Sequence, residues 1–138
     1  MKPVVAVGVA LSALALASPS AAAISTSCPK ASVVNAALGQ KSKGPVTTTT
    51  PYGKTCTYPG SGIVPTKITF QKDTAATFAA GEKAASVLGI VKLKGLGQAA
   101  WAPKAGGGIY VFEGGETVKI LSPLTSIAKL EVLVRKLL

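Results

Sequence analysis

A chain of 138 residues with fifteen Lys and Arg, five Asp and Glu and no His carries a formal charge of +10. Without imidazole, Ser-His, Cys-His and His-metal schemes are excluded. A basic excess of this size attracts polyanions and says nothing about the fold.

The chain opens with Lys2, an apolar run from Val4 to Ala17, then Pro19 and small residues ending Ala21-x-Ala23. This is the pattern of a secretory signal peptide, too short for the roughly 20 apolar residues of a spanning helix. Cleavage before Ile24 is expected, so residues 1–23 are read as leader and 24–138 as one secreted domain. No integral span is expected after cleavage. A lipid anchor is not expected either, because Cys28 follows Ser25, Thr26 and Ser27 rather than a Leu-rich box. The remaining 115 residues hold fourteen basic side chains against Asp73, Glu82, Glu113, Glu116 and Glu131, a formal charge of +9. Outside a cell, the matching anions are acidic wall polymers, anionic lipid headgroups or released nucleic acid. All but Arg135 are Lys, which favours diffuse attraction over bidentate phosphate recognition. Because the lysines are scattered, a merely solvated surface is the competing reading.

Cys28 and Cys56 are the only cysteines, and in an exported chain they are expected to pair. Closing that loop stabilises the fold by roughly 3–4 kcal/mol on the chain-entropy model. Two thiols without His cannot complete a tetrahedral zinc site, and a redox pair favours C-x-x-C spacing.

Residues 28–39 predict a short helix, with Pro29 in its first turn and Gly39 as its stop. The β-branched runs 46–50, 55–58 and 65–70, separated by Pro and Gly, predict three antiparallel strands. Asp73 is the expected N-cap of a helix over 74–88, whose stripe Phe78, Gly81, Ala85 and Leu88 is expected to cover a sheet. Residues 90–93 and 99–101 are strand-like. Residues 109–113 and 116–121 flank Gly114-Gly115 and predict a hairpin. Ser122 and Pro123 are read as the start of a C-terminal helix with Leu124, Ile127, Leu130, Val134 and Leu137 on one face. The expected class is α+β, an antiparallel sheet packed against two or three helices. Leu-Gly helix endings at 38–39 and 88–89 hint at a duplicated unit, although the strands after them do not align.

Gly95-x-Gly97-x-x-Ala100 satisfies a dinucleotide-binding pattern, and Glu116 stands near the place of a ribose-binding acid. The pattern works only where a strand enters a helix N-terminus, and Pro103 with Gly106 to Gly108 leaves no room for that helix. No nucleotide and no cofactor is expected. The glycines are read instead as a bend returning Gln98 to Trp101 onto the sheet.

The Cys-initiated helix ending A-A-L-G, the C-T-Y strand and G-L-G-x-A-A-W resemble a family of small exported actinobacterial domains, many of them lipoproteins, without assigned function. Gln98 stands where an acidic residue is usual in that family. The resemblance implies a secreted or envelope-associated α+β domain and transfers no catalytic residue.

Other candidate chemistry is sparse. Glu113 and Glu116 are read as an exposed charge pair beside a turn rather than an acid/base dyad, and a Ser-Lys hydrolase is not expected. Thr47 to Thr50 suit either an edge strand or O-glycosylation. Trp101, Lys104, Tyr52 and Tyr58 are the candidate partner surface, with core or rim as the competing reading for the rings. The leading expectation is a non-catalytic, basic-surface-driven binder of anionic envelope or extracellular polymers, expected to be monomeric. The alternative is a protein-directed binder such as an inhibitor of a secreted enzyme. A small enzyme of unknown type ranks last.

Overall fold

A computed structural model describes residues 24–60 and 62–138. The expected leader, residues 1–23, lies outside them. The elements run α1 (Ala31–Leu38), β1 (Val46–Thr50), β2 (Gly53–Tyr58), β3 (Thr66–Lys72), α2 (Ala75–Ser86), β4 (Ile90–Leu93), β5 (Ala99–Pro103), β6 (Gly108–Glu113), β7 (Glu116–Leu121) and α3 (Ile127–Leu137). All seven strands form one antiparallel sheet in the order β1-β2-β3-β7-β6-β5-β4. With three helices and one disulfide, this is the expected α+β class.

Period-two alternation divides the sheet into two faces. Cys56, Tyr58, Ile68, Phe70, Ile109, Val111, Val118 and Ile120 point to one side. There α1 brings Val34, Ala37 and Leu38, and α3 brings Leu130, Leu133, Val134 and Leu137. Burying a side chain of this size contributes about 1.5–3 kcal/mol, so this face supplies most of the hydrophobic stabilisation. The Cys28–Cys56 disulfide anchors the segment before α1 to β2 on the same side.

On the opposite face a single row crosses every strand: Thr48, Thr55, Thr69, Lys119, Tyr110, Trp101 and Lys92. Its β4–β6 half lies under α2, where Phe78 packs with Trp101 and Phe112. Its β1–β3 half is a threonine face. The α2 coverage is narrower than the apolar stripe predicts: only Phe78 is buried, and Leu88 is exposed beyond the helix end. Alanine propensity and the Lys92–Glu82 ion pair at 2.8 Å supplement that single anchor.

Two helix starts differ from expectation. Thr74, rather than Asp73, caps α2 by accepting from the Thr77 amide, while Asp73 accepts from the Thr74 amide and the Thr117 hydroxyl. The C-terminal helix starts at Ile127, with Ser126 as its N-cap. Ser122 is instead buried between the Thr66 and Thr125 hydroxyls, at 2.9 and 2.8 Å. That network absorbs the polar residue that the sequence pattern assigns to a cap.

The glycine stretch forms a tight return from β4 to β5. Leu96 at its tip is buried, and the Gln98 amide donates to the Phe112 carbonyl at 2.9 Å. Gln98 Oε1 also accepts from the Gly114 amide, locking this return to the β6–β7 turn. Gly97 has φ +60°, and a Cβ there would lie 2.7 Å from the Phe112 carbonyl oxygen. The backbone conformation and the contact therefore both require glycine. Gly97→Ala is expected to lower stability by about 2–4 kcal/mol in chemical denaturation, whereas Gly62→Ala, where a Cβ meets nothing within 4 Å, changes it by less than about 1 kcal/mol.

Candidate functional site

The four residues expected to form a partner surface occupy separate environments. Tyr52 is 79 % exposed in the β1–β2 turn, beside a cavity of about 290 Å³ lined in part by Thr49, Lys54, Lys72 and Glu116. Lys104 is exposed in the β5–β6 connection at the other end of the sheet. Tyr58 is fully buried, its hydroxyl donates to the Pro29 carbonyl at 2.6 Å, and burial pushes its pKa up to about 12. It is a core residue that ties β2 to the segment before α1.

Trp101 is also largely buried. It stacks on Tyr110 with centroids 3.9 Å apart and planes 7° from parallel, and Lys119 Nζ lies 5.5 Å from the Tyr110 centroid. Among the described residues its Nε1 is the buried side-chain polar atom left without a hydrogen-bond partner. The stack borders an apolar cavity of about 320 Å³ with Leu88, Ile90 and Pro103. No candidate dyad emerges from the acidic residues beside the other turn. Glu113 and Glu116 oppose one another in register, but Glu113 is buried rather than exposed, with Oε2 against the Gly97 return. No group of three His, Cys, Asp or Glu among the described residues is placed to hold a metal ion.

What the topology does gather is one end of the sheet. The starts of β1, β3, β4 and β6 and the ends of β2, β5 and β7 lie there together. Five connections emerge from it: 40–45, 59–65, 87–89, 104–107 and 122–126. They carry Lys41, Lys43 and Lys104 and no acidic residue. Three of the five carboxylates, Asp73, Glu113 and Glu116, stand at the opposite end among Lys54, Lys72 and Lys94. The molecule is therefore polarised along its strands.

Hydrogen bonds join these five connections into a platform. The Lys43 amide donates to the Pro59 carbonyl at 2.8 Å, and Asn35 Nδ2 donates to the Ser42 carbonyl. Gln40 Nε2 donates to Thr66 Oγ1, which continues to Ser122 and Thr125. The Gly107 amide donates to Thr125, and the Lys104 amide donates to Gly89. A basic surface held this way presents its charges without ordering the backbone on each encounter.

The sequence patterns do not single out the apolar residues on this platform. Leu124, assigned above to the apolar face of α3, lies before that helix, fully exposed with φ +62°. Ile63 and Val64 are exposed in the β2–β3 connection, where polar turn residues are the norm. An Ile-Val pair within a Pro- and Gly-rich loop is the signal by which they stand out.

No family model, curated protein or solved structure matches this chain. Leu124 offers a direct check of the platform's local geometry. A non-glycine residue in the left-handed region costs about 1–2 kcal/mol, and an exposed leucine contributes no packing to offset it. Leu124→Gly is therefore expected to leave stability unchanged or raise it by up to about 1 kcal/mol in thermal unfolding, despite removing four carbons.

Proposed function

We propose that this protein is a secreted, non-catalytic interaction domain that associates through its basic loop end with anionic cell-envelope or extracellular polymers. The observation that carries this reading is the charge distribution: Lys41, Lys43 and Lys104 share five interlocked connections that contain no carboxylate. Elsewhere three of the five carboxylates are occupied locally. Glu82 pairs with Lys92, Glu131 with Arg135, and Asp73 accepts from two threonines.

Export is supported by the leader pattern and by the Cys28–Cys56 disulfide, a bond that persists in oxidising compartments. No helix among the described residues is long and apolar enough to cross a membrane. Membership of the small exported domain family suggested by A-A-L-G, C-T-Y and G-L-G-x-A-A-W belongs to the same proposal. A second reading, a protein-directed binder such as an inhibitor of a secreted enzyme, draws on the apolar cavity beside Trp101. It calls for a stoichiometric complex that resists salt.

Lysine-driven association is screened as the Debye length falls from about 10 Å at 0.1 M salt to about 3 Å at 1 M. Retention on immobilised poly(glycerol phosphate) is expected to drop steeply over this range and to weaken about tenfold in K43E/K104E. Retention that is indifferent to salt contradicts the proposal.

A further inference from the structure

Six of the nine large apolar side chains exposed among the described residues occupy the same loop end as those lysines: Val46, Ile63, Val64, Val87, Leu88 and Leu124. Five of them form two groups. Ile63, Val64 and Leu124 flank a cavity of about 310 Å³ whose polar wall is Gln40, Thr66 and Ser122. Val87 and Leu88 project where α2 runs into β4. β3 and β4 are separated by four strand intervals, so the groups are roughly 19 Å apart. The Lys104 connection lies between them, tied to Gly89 on one side and Thr125 on the other.

We infer that this end is a peripheral docking surface for an anionic lipid bilayer. Ile63, Val64 and Leu124 enter the boundary between headgroups and acyl chains. Val87 and Leu88 form a second anchor, while Lys43 and Lys104 meet the headgroups. The inference rests on the basic loop end proposed above and identifies the anionic surface as lipid.

A cavity-sized ligand does not span the separation of the two apolar groups, whereas an extended surface does. Apolar tips among lysines match the layered chemistry of an anionic bilayer, with charge at the surface and hydrocarbon beneath it. A soluble polyanion supplies only the charge. Pairing with a second copy through this end would oppose the same lysines across a two-fold axis, with no carboxylate in either set of loops to balance them. The described chain begins far from these tips, where the Ser25 amide donates to the Leu137 carbonyl and Thr26 borders the Tyr52 cavity.

Flotation of the mature protein with phosphatidylglycerol–phosphatidylcholine vesicles tests the inference, with pure phosphatidylcholine vesicles and soluble poly(glycerol phosphate) as parallel arms. Binding to the anionic vesicles is expected. I63S/L124S should weaken it about tenfold or more while leaving polyanion binding unchanged, since both side chains are exposed and a melting curve verifies the fold. K43E/K104E should weaken both arms. Vesicle binding unaffected by I63S/L124S overturns lipid insertion while the charge-based reading stands. Absence of binding in both arms overturns both. A dimer in size-exclusion chromatography that I63S/L124S dissociates overturns the bilayer assignment in favour of a second copy, and a salt-resistant protein complex lost in that variant does so in favour of a protein partner.

Discussion

The shared core face of β3, β6 and β7 is the constraint on which the rest of the structure depends. In these strands Ile68, Phe70, Ile109, Val111, Val118 and Ile120 all point to the face covered by α1 and α3. A slip of one residue in either pairing would move these side chains away from the helices, so burial specifies the register. With the register fixed, the two central pairings place β1–β2 on one flank and β4–β5 on the other. The disulfide then closes the same core from the N-terminal side. The second face carries a lighter load, because its apolar part is limited to the Trp101, Tyr110, Phe112 and Phe78 cluster beneath a helix anchored by one ring.

Register also determines which connections share an end. Antiparallel pairing returns alternate loops to the same side, and here five connections converge opposite the four returns at Pro51-Tyr52, Asp73-Thr74, 94–98 and Gly114-Gly115. The short returns are structural: Gln98 and Gly97 lock one of them, and Asp73 bridges to Thr117 beside another. The five connections at the other end hold the lysines without acidic neighbours and most of the exposed apolar side chains. Their hydrogen bonds run continuously from Asn35 to Gly89. Polarity along the strands is thus a product of topology, and the proposed contact with an extended anionic boundary rests on it.

Local signals made the individual elements legible. The Gly114-Gly115 hairpin, the threonine-rich edge strand and Gly39 after α1 each depend on residues adjacent in sequence. Caps were less legible, because Ser122 and Ser126 both suit an N-cap and only the buried Thr66 hydroxyl draws one away. The same shift explains Leu124, whose spacing fits the α3 stripe although its backbone belongs to the preceding loop. The aromatic residues depended on long-range pairing: Tyr58 enters the core because its hydroxyl finds Pro29, and Trp101 is covered because β5 pairs with β6 beneath Phe78. Scattered lysines became a site only once the strand order placed Lys41 and Lys104, 63 residues apart in sequence, at the same end of the sheet. Periodicity carries no information about that assembly.

The central claim, that one end of the sheet meets an anionic surface, is tested most directly by residue-resolved NMR of the labelled domain with phosphatidylglycerol-containing bicelles. The account predicts that amide perturbations and relaxation from a lipid-borne paramagnetic label concentrate in 40–45, 62–65, 87–89, 104–107 and 122–126. The returns near Tyr52, Gln98 and Gly114 should remain unperturbed. Perturbations centred on those returns, on the threonine face of β1–β3, or spread evenly over the domain would contradict it.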